Sequence, residues 1–264
     1  MPATDLSLII DAIRMAGRVA TSYVGKTAQA WDKPAGAGPV TEADLAVNAY
    51  LETVLRGARP DYGWLSEETE DNVDRLSCDT VFIVDPIDGT RSFVDGSKTW
   101  AHSVAVAHRG QVTAGAIYLP MRNMLYTAAL GQGATLNGKA LVVSQKPELD
   151  GADVLAAKPM LDARHWPNGV PDIRRAHRPS LAYRLGLVGQ GKFDAMLTLR
   201  PTWEWDVAAG ALIVQEAQGV CTDKAGGILQ FNNATPQVNG MVAGGRAVHG
   251  NLMTALGAAN AAPP

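Results

Sequence analysis

The run Val81-Phe82-Ile83-Val84-Asp85-Pro86-Ile87-Asp88-Gly89-Thr90 changes character at its fifth residue. The four residues before it are all apolar and are β-branched or aromatic, the pattern of a short strand covered on both faces. Asp85 should end that strand, because Pro86 has no N–H to give to a ladder and fixes its own φ. Asp88-Gly89 then reads as a turn, and Thr90 opens a new segment. A bend of this kind can aim two carboxylates and the Ile87 carbonyl at one point. Such an all-oxygen set suits Mg²⁺ or Mn²⁺ rather than a soft metal. The N–H groups that follow Gly89 would face an anion if a helix or nest begins there. Asp-Pro-x-Asp-Gly is also the composition of an ordinary surface turn, so the run alone leaves both readings open.

Other acids change the balance. Glu67-Glu68 follows the apolar pair Trp64-Leu65 shortly upstream. Asp206 lies far downstream, between Trp205 and a strongly apolar segment, where a lone unpaired acid is costly. An N-cap is the alternative reading of Asp206.

The elements around these acids follow from periodicity. Leu6, Ile9, Ile10, Ile13, Gly17 and Ala20 fall at helical spacing. Trp31 to Pro39, rich in Gly, Ala and Pro, reads as a loop. Thr41 and Asp44 form a capping-box pair at the head of a second helix, which Gly57 to Pro60 ends. Ser103 to His108 and Val112 to Tyr118 alternate around an Arg109-Gly110 turn. Met124 to Ala129 and Leu141 to Val143 are expected to be further strands, with a tight turn at Asn137-Gly138. Past about residue 146 the pattern turns to α/β: helix over Leu181 to Val188, strand over Ala195 to Leu199, helix over Val207 to Ala217 with Gly219 as its stop. Two lobes are expected, residues 1–145 (α+β, with most of the acids) and 146–264 (α/β).

The bulk properties narrow the classes. A net charge of −3 supplies no electrostatic footprint for nucleic acid or an anionic membrane. No apolar run is long enough to span a bilayer, and Asp5 and Asp11 break the first apolar stretch, so no secretory leader is expected. The two cysteines, Cys78 and Cys221, are too few and too far apart for a disulfide framework or a zinc pattern. They read as thiols in a reducing, cytoplasmic setting. His102 and His108 read as packing or surface residues.

At the acids the sequence resembles the inositol monophosphatase superfamily of metal-dependent, lithium-sensitive phosphatases. Trp64-Leu65-Ser66-Glu67-Glu68 with Val84 to Phe93 matches its first signature. Trp205-Asp206-Val207-Ala208-Ala209-Gly210, continuing to Gly219, matches its second, and Val40-Thr41-Glu42-Ala43-Asp44 matches a third segment. The resemblance implies a layered αβαβα sandwich of the inositol monophosphatase and fructose-1,6-bisphosphatase type, and a homodimer. It implies two or three Mg²⁺ ions, with Mn²⁺ as a substitute, held by Glu67, Asp85, the Ile87 carbonyl, Asp88 and Asp206. It makes Asp44, Glu67 and Thr90 catalytic, through activation of the attacking water. Asp88, Gly89, Thr90, Ser180, Arg200 and Asp206 would face a small phosphate ester. The Gly36-Ala37-Gly38-Pro39 loop would be a flap that carries Lys33 toward the site.

The ester itself is less legible. Inositol-specific members carry a Glu seven residues before the second-signature Asp, where it holds ring hydroxyls; this chain has Leu199 there, followed by Arg200. Leu65-Ser66-Glu67-Glu68 and Pro201 to Asp206 look like the bacterial 3'(2'),5'-bisphosphate nucleotidases, with Arg200 placed to pair with a second phosphate and Trp203 to border a base. The continuation Arg91 to Gly96 is closer to general or histidinol-phosphate-cleaving relatives. Bisphosphate nucleotidase is therefore the first expectation and inositol-1-monophosphatase, or a related sugar- or histidinol-phosphate phosphatase, the alternative. An inactive metal- or phosphate-binding regulator is the non-enzymatic one.

Overall fold

A computed structural model describes residues 4–25, 29–32 and 38–258. Helix α1 (Asp5–Thr21) is capped by Thr4, whose hydroxyl accepts the Ser7 N–H, and buries the predicted stripe through Ile9, Ile13 and Ala20. The expected Trp31–Pro39 loop has strands at its ends: β1 (Ala30–Asp32) pairs antiparallel with β2 (Pro39–Thr41). Pairing with the mostly buried β2 gives the exposed backbone of β1 partners that a loop would have left to water. Helix α2 (Glu42–Ala58) starts at the anticipated capping box, with Thr41 as N-cap.

A seven-stranded sheet follows, built in spatial order from β3 (Gly63–Ser66), β4 (Thr80–Asp88), β5 (Ala101–His108), β6 (Gln111–Leu119), β7 (Met124–Ala129), β8 (Ala134–Leu136) and β9 (Lys139–Ala140). Only β3 and β4 pair parallel. The short helix α3 (Thr90–Val94) leaves the end of β4. Leu141 to Val143 is not a strand. Leu141 and Val143 are buried and Val142 exposed, so the stretch mimics strand alternation. Its N–H groups instead bond singly, Leu141 to the Ala134 carbonyl and Val143 to the Ala217 carbonyl. Asn137-Gly138 does turn the chain, both residues having positive φ, as a type I′ hairpin requires.

The second half runs β10 (Ala152–Leu155), β11 (Ile173–Ala176), α4 (Leu181–Gly189), β12 (Ala195–Thr198), β13 (Thr202–Trp203), α5 (Glu204–Glu216), β14 (Val220–Thr222), β15 (Gln237–Val238), β16 (Met241–Gly244) and α6 (Arg246–Ala255). Its five-stranded sheet has the order β11-β10-β12-β16-β14, and β13 pairs with β15 apart from it. Helix α5 starts earlier than the sequence suggested because the Glu204 carboxylate is buried and tied down by the Asn232 and Asn233 N–H groups. After α5 the left-handed residue is Gln218, not Gly219. Gly219 is small for another reason: a Cβ there would lie 2.7 Å from Val214 Cγ1 and 2.9 Å from Val143 Cγ1.

The layers are α1 and α2, the seven-stranded sheet, α4 and α5, the five-stranded sheet, and α6. This is the expected αβαβα sandwich. Helices α4 and α5 lie between two sheets and are apolar almost all round, as a helix covered on every side must be. The few polar side chains on them therefore stand out.

Candidate metal and phosphate site

Asp85 and Asp88 come from β4 and Asp206 from the first turn of α5. One carboxylate oxygen from each lies within 4.8 Å of the others. Two local features bring them together. In a regular strand, residues three apart face opposite sides. Here the β4–β5 register shifts by one residue between the Asp85↔Ser103 and Asp88↔Ala101 pairs, and such a bulge re-aims the later side chain. So β4 does not end at Asp85, as the proline suggested; it bulges there and continues to Asp88, with Pro86 inside the irregular stretch. Asp206 is the third residue of α5, whose N-cap is Trp203. The N-cap reading of Asp206 is therefore excluded, and its carboxylate stands at the positive end of the helix dipole.

The Pro86 carbonyl lies within the bulge, between the Asp85↔Ser103 and Asp88↔Ala101 pairs. His102 on β5, fully buried, donates to it from Nδ1. The packing role expected for His102 thus includes a specific bond to the acid-bearing turn. Burial pushes its pKa down to about 4, so the ring is neutral. His108, by contrast, is exposed.

The acids are destabilised as anions. Asp85 is 1% exposed, and its Oδ1 is buried without a hydrogen-bond partner. Burial, then the charges of Glu67, Asp88 and Asp206, hold its pKa well above the usual carboxylate range. Burial, followed by the charges of Asp88 and Glu67, does the same to Asp206. Burial raises Asp88 to about 6, opposed by bonds from the Ser180 hydroxyl and the Ala182 N–H, each 2.6 Å from Oδ2. Glu67 follows β3, is tied to β4 by its N–H on the Val84 carbonyl, and lines the same cleft. An orphaned buried carboxylate oxygen among like charges, with only oxygen donors nearby, fits a hard divalent cation.

Beside the cluster, Thr90 Oγ1 donates to Asp44 Oδ1 at 3.0 Å and to the Ile87 carbonyl at 3.1 Å. Asp44 Oδ2 accepts from the Thr41 N–H (2.9 Å) and hydroxyl (2.5 Å). Burial raises the Asp44 pKa. Gly89, with φ of +95°, sets the turn from β4 into α3, whose first N–H groups have no partner within the helix.

These residues open onto a cleft of about 810 Å³. Gly89, Thr90 and Arg200 line it, and Ser180 reaches it through Asp88. Leu199 instead packs in the apolar core of the second sheet. Trp203 lies flat on Trp205, ring centroids 4.8 Å apart and planes 9° off parallel. Lys33, Gly36 and Ala37, assigned to a flap, lie outside the described residues. Among the cleft residues that the sequence did not single out, two are titratable, Arg184 and His177. The signal for the first was there: it is the one charge in the apolar run Leu181 to Gly189.

A family model described as "Inositol monophosphatase family" matches residues 3–261. The inositol-1-monophosphatase of Mesorhizobium japonicum is 31% identical over 270 residues, covering 95% of each chain. The Nus factor SuhB of Escherichia coli (strain K12) is 33% identical over 236 residues, 84% of this chain and 86% of its own. Among solved structures, the extragenic suppressor protein suhB of Bartonella henselae superposes with a TM-score of 0.80 at 32% identity, covering 95% of this chain and 97% of that one. The IMPase of Thermotoga maritima gives a TM-score of 0.81 at 27% identity, covering 96% of each.

Proposed function

Because the chain belongs to the inositol monophosphatase family of metal-dependent phosphatases, we propose that it is a Mg²⁺-dependent phosphomonoesterase that prefers a 3'(2'),5'-bisphosphate nucleotide, releasing the 3'- or 2'-phosphate. The reaction rests on one observation above the rest: buried Asp85 and Asp88 and half-buried Asp206 converge within 4.8 Å, with an unpartnered Asp85 oxygen among them. Glu67, Asp85, the Ile87 carbonyl, Asp88 and Asp206 would hold Mg²⁺, or Mn²⁺ in its place. Bound there, the ion supplies charge neutralisation for the phosphate and makes water acidic enough to attack.

The chain's own groups do the rest. Gly89 and Thr90 offer backbone N–H groups to the phosphate. Thr90 Oγ1 already donates to Asp44, so its lone pair can accept a proton from water and pass its own to Asp44 Oδ1. Asp44, with its pKa raised by burial, is a better acceptor than a solvated carboxylate. Asp88 is held by Ser180 and Ala182, which fixes the cluster's geometry before substrate arrives.

The substrate class rests on the far wall. Leu199 removes the carboxylate that would grip ring hydroxyls, and the wall presents Arg200 and the outer face of the Trp203–Trp205 stack. Inositol 1-phosphate is the second reading, favoured by the name of the Mesorhizobium relative. Phosphate release from 3'-phosphoadenosine 5'-phosphate, inositol 1-phosphate and histidinol phosphate at equal Mg²⁺ separates them. The nucleotide should lead in kcat/KM by at least about tenfold, or about 1.4 kcal/mol; a lead for inositol 1-phosphate overturns the preference. Asp88→Asn should abolish turnover in a folded protein, and near-normal activity would remove the site assignment. We also place the protein in the cytoplasm as a homodimer, the latter checked by sedimentation; no helix among the described residues is long and apolar enough to cross a membrane.

A further inference from the structure

Arg184 is the fourth residue of α4 and only 6% exposed. Its Nε–H donates to the Arg178 carbonyl at 2.6 Å, and Nη2 donates to His177 Nε2 at 2.7 Å. Nη1 has no hydrogen-bond partner among the described residues, and no carboxylate there forms an ion pair with the guanidinium. A buried cation without a paired anion is expensive, and the backbone and imidazole bonds fix its orientation without neutralising it.

The placement gives the charge a use. Arg184 lines the cleft that contains the carboxylate cluster. Ser180, one turn earlier on the same helix face, donates to Asp88. Four residues of helix span about 6 Å, and helical side chains lean toward the N-terminus. Helix α4 therefore offers position 180 to the cluster and position 184 to what lies next to it. Asp88 and Asp206 attract the guanidinium through space; a divalent cation on those acids would cancel that attraction and leave Arg184 to the substrate. Arg200, the residue singled out from sequence, is exposed and so is neither desolvated nor oriented to the same degree.

We propose that Arg184, oriented by His177 and the Arg178 carbonyl, is the receptor for a second phosphate on the substrate. The proposal rests on the bisphosphate reading above and names the residue that enforces it. The guanidinium edge at Nη1 provides two N–H donors for charge-assisted bonds to phosphate oxygens. The second phosphate could be carried by a nucleoside or by a sugar, and the test separates these.

The experiment measures kcat/KM at saturating Mg²⁺ for two matched pairs: 3'-phosphoadenosine 5'-phosphate against adenosine 3'-phosphate, and fructose 1,6-bisphosphate against fructose 1-phosphate. The wild type should favour the nucleotide bisphosphate over its monophosphate by at least about tenfold. Arg184→Gln should bring that ratio close to one, mostly through KM, while changing adenosine 3'-phosphate hydrolysis by less than about threefold. A merely structural arginine would lower both members of a pair alike, and an unchanged ratio overturns the proposal. So does a wild-type ratio near one in both pairs. A preference seen only in the sugar pair, and lost in Arg184→Gln, upholds Arg184 and refutes the nucleotidase reading. A nucleotide preference that survives Arg184→Gln does the reverse. Arg184→Lys keeps the stem and charge but loses the planar fork. It carries the test should Arg184→Gln fail to fold: its nucleotide ratio should fall at least about threefold, and an unchanged ratio overturns the assignment.

Discussion

His102 shows how one side chain can matter to a site it does not enter. It faces the Pro86 carbonyl, between two of the clustered acids, and satisfies that polar group within the β4 bulge. Partners that orient ligands in this way are typically worth about ten- to a hundredfold in metal affinity. His102→Phe fills similar volume without a donor and should raise the Mg²⁺ concentration for half-maximal activity at least about tenfold. An unchanged Mg²⁺ dependence would mean that the bond only serves packing. His249 on α6 poses a different residue-scale question, well away from the acids. It is buried against Thr222, whose hydroxyl lies 3.0 Å from Nε2, and desolvation depresses its pKa from 6.5 to about 4. The unfolded chain then takes up a proton that the folded one refuses. The His249 contribution is intact above about pH 6.5 and is lost progressively as pH falls toward 4, by at most about 3 kcal/mol. Urea unfolding at pH 7 and pH 5 should show a smaller acid loss in His249→Gln than in the wild type; equal losses would place the acid sensitivity elsewhere.

At the scale of elements, long periodic segments were legible and local exceptions were not. α1, α2 with its capping box, β5, β6, β7 and α4 follow directly from spacing, because each buries one face or all faces in a regular way. Leu141 to Val143 misled because burial alternated without a ladder partner. The bulge in β4 was hidden because a proline after an acid reads as a stop, and only the register of β5 shows that the strand resumes. The early start of α5 depends on Asn232 and Asn233, distant in sequence, tying down Glu204. Gly210 on α5, part of the second signature, has a packing reason: a Cβ there would overlap the Leu185 side chain of α4. Gly210→Ala should force the two helices apart and cost about 1–3 kcal/mol by overpacking, read as a lowered urea midpoint with an unchanged slope. Stability equal to the wild type would show that α4 can shift without penalty.

Over the whole molecule, the proposed metal site joins parts that sequence keeps far apart. Asp85 and Asp88 belong to the seven-stranded sheet, while Asp206 rides on a helix packed between that sheet and the five-stranded one. The acids could be picked out individually because each interrupts an apolar run. Arg184 interrupts an apolar run in the same way, but sequence spacing does not reveal that its helix position faces the cleft. We propose that residues 1–145 and 146–264 form two lobes of organisation, and α4 and α5 of the second roof the sheet of the first, so the lobes should unfold in one transition. Buried acids that repel one another weaken this arrangement and are tolerated for what they bind, a trade of stability for function. A cation that binds only the folded state stabilises it by mass action, so saturating Mg²⁺ should raise the melting temperature of the wild type relative to chelator-treated protein. Asp206→Asn separates the two effects. It removes one half-buried charge from among like charges while keeping the side chain's shape, so its chelator-treated form should melt at or above the wild-type temperature. It also removes a proposed ligand, so most of the Mg²⁺-induced rise should vanish, along with turnover. A variant that melts lower than the wild type without metal would show that the Asp206 carboxylate is structural. One that keeps the full Mg²⁺ response would show that the ion does not bridge the sheet and the helix.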